Sequence, residues 1–137
     1  MKSSWRVFAV LTACMLSAMS AIAHGPEETV SPGLNQPLPN IPGKSLVAVI
    51  VDYPPGGGSV AHSHARSAFI YGYVVSGAIE SQVNDGPPQI LQAGESFYEP
   101  PGAMHRVSRN ASRAMPAKLL AVFVVNTEET ALTTPLP

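Results

Sequence analysis

The sequence predicts an all-β domain, an antiparallel sandwich or small barrel, on three observations. Between Ser45 and Asn126, short runs rich in valine, isoleucine, tyrosine and phenylalanine recur at intervals of about ten residues. Glycine, proline or an Asn-Asp-Gly turn closes each run. After Ala23, no stretch of ten or more residues carries an apolar stripe at helical spacing. With 137 residues, 45% of them hydrophobic and 12% charged, the chain has material for one core but not for two domains.

The first segment, residues 1–23, reads as a secretory signal peptide. Lys2 and Arg6 give a positive start, Val7 to Ile22 is apolar or small, and Ala21-Ile22-Ala23 offers a small-x-small cleavage site. Thr12, Ser17 and Ser20 break the apolar run, which is too weak for a spanning helix, so the mature chain is expected to stay out of the membrane. Leu11-Thr12-Ala13-Cys14 also resembles a lipobox, and an exported lipoprotein attached at Cys14 is the alternative. Cleavage after Ala23 removes Cys14, the sole cysteine, together with Lys2 and Arg6. That leaves six basic against nine acidic residues, a net −3, in a cysteine-free chain suited to a periplasmic or secreted location.

Residues 24–44 carry prolines 26, 32, 37, 39 and 42 with Gly25, Gly33 and Asn40, which excludes helix and predicts an extended arm. The barrel is expected over residues 45–127, with strands at Ser45 to Tyr53, Val60 to Arg66, Ala68 to Val75, Ala78 to Asn84, Gln89 to Gln92, Ser96 to Glu99, Met104 to Asn110 and Ala117 to Asn126. Asn84-Asp85-Gly86 supplies residues that tolerate positive φ and predicts a hairpin. Residues 128–137 read as a tail. Lys44, Arg66, Arg106, Arg109, Arg113 and Lys118 are scattered rather than clustered, so no nucleic-acid partner is expected.

His62 and His64 are separated by one residue in an expected strand, which points both imidazoles to one face. Pro100-Pro101-Gly102 is a turn that delivers His105 at the start of another strand. Alone, a His-x-His pair is equally compatible with two exposed polar residues. The wider spacing adds more. Gly56, five residues, His62-Ser63-His64 and a closing Gly77, followed by Gly94, five residues, Pro100-x-Gly102, two residues and His105, resembles the two motifs of the cupin superfamily. The resemblance covers Gly56 to Asn110 and implies an antiparallel jelly-roll β-barrel. It also implies one divalent metal ion held by His62, His64 and His105, and commonly a glutamate.

Two positions depart from that pattern. The glutamate of the first motif would stand seven residues before the closing glycine, where this chain has Ile70, and Asn110 falls one place late. Strand parity from His62 and His64 points Ile70, Gly72 and Val74 inward and Phe69, Tyr71 and Tyr73 outward. A three-histidine site without a carboxylate carries +2 and suits iron, zinc, copper or nickel. A degenerate site that no longer holds metal is the competing reading.

Glu99 is a candidate acid, base or metal neighbour, and Tyr98 and Tyr71 are candidate hydrogen-bond donors, against the plainer roles of exposed carboxylate and packing tyrosine. Arg66 and Arg106 either steer an acidic substrate or stand exposed. Phe69, Tyr71 and Tyr73 form either a homodimer interface or a surface covered by the proline-rich arm. The expected function is a metal-dependent enzyme acting on a small oxygen-rich molecule. Three-histidine iron cupins suggest dioxygenase-like oxidative cleavage. A non-catalytic small-ligand or metal-binding protein is the alternative.

Overall fold

The computed structural model describes residues 27–137, and every regular element among them is a strand. The leader expected over 1–23, with Cys14, lies outside the described residues. The strands are β1 (Thr29–Pro37), β2 (Lys44–Tyr53), β3 (His62–His64), β4 (Phe69–Ser76), β5 (Ala78–Val83), β6 (Gln89–Gln92), β7 (Ser96–Glu99), β8 (Met104–Asn110), β9 (Ala117–Asn126) and β10 (Thr133–Pro135). They form two five-stranded antiparallel sheets, ordered β1-β2-β9-β4-β7 and β10-β3-β8-β5-β6, which close as the expected jelly roll. Among the described residues, no helix is long and apolar enough to cross a membrane.

The alternation that identifies the strands also builds the core. In β9, Ala117, Leu119, Ala121, Phe123 and Val125 are buried while the residues between them are half-buried. In β4, Ile70, Gly72 and Val74 turn inward and Phe69 and Tyr71 outward, as parity requires. Two buried clusters result, one around Val51, Tyr53, Val74, Ile79 and Leu119, the other around Ala68, Ile70, Phe123 and Val125. Each valine, leucine, isoleucine or phenylalanine among them contributes roughly 1.5–3 kcal/mol on burial. Gly77, at φ 72°, closes β4 against the start of β9. A Cβ there would stand 2.7 Å from the Pro116 carbonyl oxygen, so only glycine fits.

Three expectations change. The arm is extended, but part of it is an edge strand: β1 pairs with β2 from Thr29↔Asp52 to Pro37↔Ser45. Edge position lets Pro32 and Pro37 stay in the ladder without a donor. The tail supplies β10, whose Thr133 and Pro135 pair with His64 and His62. The run expected from Val60 to Arg66 pairs as a strand only at His62–His64; Val60 is exposed and the chain leaves the sheet at Ala65.

Candidate metal centre

Backbone register brings the histidines together. His62 and His105 are direct partners across β3 and β8, and His64 lies two residues further along the same face of β3. One donor atom from each of the three rings lies within 4.8 Å of the others. His62 meets His64 edge-on at a centroid separation of 4.8 Å, and His105 lies 5.4 Å from His62 and 6.1 Å from His64. His62 Nδ1 sits 2.7 Å from the Val60 carbonyl, which sets its tautomer and leaves Nε2 with a free lone pair. Burial pushes the His62 pKa below its ordinary 6.5, and the neighbouring imidazoles add to the effect while the Val60 bond opposes it. A neutral ring is what a cation needs.

A carboxylate stands in the same cluster. Glu99 of β7 is 2% exposed, with Oε2 2.9 Å from His64 Nε2 and Oε1 3.2 Å from His105 Nδ1. Burial alone would raise its pKa, but hydrogen bonding and charge from His105 and His64 outweigh that and hold it at about 2. The site is therefore not carboxylate-free, and the +2 charge expected for it becomes +1 once an ion is bound beside ionised Glu99. Sequence parity had removed only the carboxylate at position 70.

The donor set fits a metal ion. His64 Nδ1, His64 Nε2 and Glu99 Oε2 are buried without a well-directed hydrogen bond, even though Nε2 and Oε2 are close. Buried polar atoms left in this way cost about 1–3 kcal/mol each, and a cation between an imidazole lone pair and a carboxylate oxygen removes the cost for both. His62, His64 and His105 would hold the ion.

The surroundings orient these ligands. Ser81 Oγ is 2.9 Å from His105 Nε2, Phe97 packs edge-on against His105, and Phe123 does the same to His64. A cavity of about 420 Å³ opens from the cluster and is lined largely by apolar side chains, among them Val49, Val51, Phe97 and Leu119. Its polar wall includes Tyr53, whose hydroxyl shares hydrogen bonds with Ser108 at 2.7 Å and Ser59 at 3.2 Å. Burial raises the Tyr53 pKa, the two serine bonds opposing it, so the phenol stays protonated. Phe97, Ser81, Tyr53 and Ser108 were not singled out from sequence; inward parity on their strands was the available signal, but it does not distinguish site from core.

Other candidates fall elsewhere. Tyr98 does not reach the site: its neighbours Phe97 and Glu99 face inward, so alternation turns Tyr98 out, 64% exposed and stacked on Phe69. Tyr71 is also on the outer face. Arg66 is exposed and Arg106 pairs with Asp85 at 3.1 Å, and neither lines the cavity. Asn110 is buried and clamps a loop through Nδ2 to the Pro54 and Met115 carbonyls. Among the described residues, the arm does not cover the aromatic stripe, because β1 lies at the opposite edge of its sheet from β7.

The cupin domain profile (Cupin_2) matches residues 49–123, and the chain belongs to that family. A Klebsiella pneumoniae protein, described as uncharacterized with a double-stranded β-helix domain, aligns over 96% of this chain and 99% of its own at 20% identity, TM-score 0.61. Oxalate oxidase in complex with the substrate analogue glycolate aligns over 80% of this chain and 61% of its own, at 21% identity and TM-score 0.59. The DMSP lyase DddQ of Ruegeria pomeroyi aligns over 66% and 42%, at 27% identity and TM-score 0.54. This chain thus spans less than two thirds of the length of either enzyme. No protein of curated function matches the sequence.

Proposed function

We propose that the chain is a metal-dependent enzyme acting on a small oxygen-bearing molecule inside the barrel, with dioxygenase-like oxidative cleavage as the leading reaction class. One observation carries this reading: three convergent imidazoles and an ionised carboxylate stand at a cavity large enough for a small organic molecule. A bound divalent ion supplies Lewis acidity or oxygen activation there, and iron, zinc, copper and nickel all suit the imidazole donors. Ionised Glu99 adds a negative charge beside the cluster, and much of the cavity wall is apolar.

The lining narrows the substrate. Among the described residues, no lysine or arginine lines the cavity, whereas Glu27 and Glu28 do. Oxalate, a dianion, would meet no cationic side chain. The cavity instead suits an uncharged molecule with hydroxyl or carbonyl donors at one end and an apolar body. Oxygen uptake by the iron-loaded protein, screened against uncharged phenols, enols and diketones, tests this. Uptake that disappears in His105→Ala supports the reading, and tight binding of such compounds without turnover by any of the four metals favours the non-catalytic alternative.

Two further parts of the reading rest on separate supports. Export is supported by the composition of residues 1–23, which reads as a signal peptide, with a lipoprotein attached at Cys14 as the alternative. Homodimerisation is supported by the exposed aromatic group Phe69, Tyr71 and Tyr98 on the outer face of β4 and β7.

A further inference from the structure

The position at which the first motif would place a glutamate holds Ile70, which is 1% exposed and faces the cavity. Its Cα partner across the β4–β7 ladder is Glu99, equally buried and facing the same way. Cross-strand partners project their side chains side by side from one face, at Cβ separations of about 4.5–5.5 Å. A carboxylate launched from β7 at position 99 therefore reaches nearly the same point as one launched from β4 at position 70. Its carboxylate lies beside two of the three histidines: Oε2 is 2.9 Å from His64 Nε2 and Oε1 is 3.2 Å from His105 Nδ1. Neither His64 Nε2 nor Oε2 has a directed hydrogen bond, although both atoms are buried. With the His64 proton on Nδ1, the two atoms would face each other as lone-pair donors that a shared cation could join.

We infer that Glu99 is the fourth protein ligand of the metal centre, a carboxylate transposed by one strand from β4 to β7 with Ile70 filling the place it vacates. The inference rests on the metal-centre reading and goes beyond its three histidines. Several neighbours fit this role. Phe97, the other inward residue of β7, packs on His105 and fixes the strand against the cluster. Gly72, opposite Phe97, leaves room for that ring, so β7 can lie close to the histidines. The transposed carboxylate lowers the site's charge by one and adds an oxygen donor, which extends the accessible metals toward those that favour oxygen.

A metal-binding comparison of four proteins tests the transposition, using cobalt(II) and zinc(II) alone as probes and reading stoichiometry, chelator-competition affinity and the visible cobalt spectrum. The proteins are the parent chain, Glu99→Gln, the reciprocal swap Ile70→Glu/Glu99→Ile, and His62→Ala/His64→Ala. Glu99→Gln is expected to bind at least about tenfold more weakly, with a changed cobalt spectrum; loss of even an outer partner of a metal ligand typically costs 10–100-fold. The swap is expected to recover most of that loss. If the swap fails to fold, Glu99→Gln, nearly isosteric with the parent, decides alone. Parent-like affinity and spectrum in Glu99→Gln, with binding lost in the double-histidine variant, overturn the transposed ligand and leave the histidine centre standing. A parent chain that binds neither ion overturns both.

Discussion

Gly72 of β4 sits opposite Phe97 of β7, and the phenylalanine ring fills the volume that a side chain at 72 would need: a Cβ there would come within 2.5 Å of the ring. The same ring packs edge-on against His105 at 5.8 Å. The absence of a side chain on one strand thereby positions a metal-ligand candidate on another.

Gly72→Ala is accordingly expected to displace Phe97, destabilise the fold by roughly 1–3 kcal/mol through overpacking, and weaken metal binding. Chemical denaturation and metal titration of the variant check both effects. Unchanged stability would show that the ring moves aside at no cost.

Acid stability should depend on Glu99. Its pKa is held at about 2, below the ordinary 4.5, so the unfolded chain binds more protons than the folded one between those values. Stability is then fully present above about 4.5 and falls as pH drops toward 2, a loss on the order of 3 kcal/mol. Denaturation midpoints between pH 2 and 6 should slope less in Glu99→Gln than in the parent. Equal slopes would contradict the assignment.

Metal retention should follow proton competition at the imidazoles. Burial holds the His62 pKa below 6.5, so this ligand stays neutral into mildly acidic solution. Metal content is expected to be kept at pH 6.5 and lost progressively below it, as measured by equilibrium dialysis. Half-loss above pH 6.5 would show that the ring titrates as though exposed.

The outer aromatic group predicts separable effects. Tyr98→Arg and Phe69→Arg face away from the cavity. Each is expected to convert a dimer to a monomer in sedimentation while leaving metal content unchanged. A monomeric parent chain would remove the interface.

What could be read from the sequence follows from how local each signal is. Strands β2 and β4 to β9 announce themselves through alternating β-branched and aromatic residues closed by Gly, Pro or Asn84-Asp85-Gly86, and the hairpin from β5 to β6 forms with Asn84 at φ 52°. Strand β1 is masked by Pro32 and Pro37, which only an edge strand tolerates, and β10 is three polar or proline residues long. The histidines were legible because spacing and the period of two are local. The approach of Glu99 depends on β7 pairing with β4 rather than another strand, a non-local choice. Parity within Ser96–Glu99 did hold one unused clue: Tyr98 and Glu99 cannot both face the cavity.

Elemental analysis of the chain purified without added metal bears most directly on the whole account. About one divalent ion per parent chain is expected, falling to a trace in His62→Ala/His64→Ala with the fold intact by circular dichroism. A parent chain that carries only trace metal, or a variant that keeps the parent's content, would contradict the claim that these imidazoles share an ion.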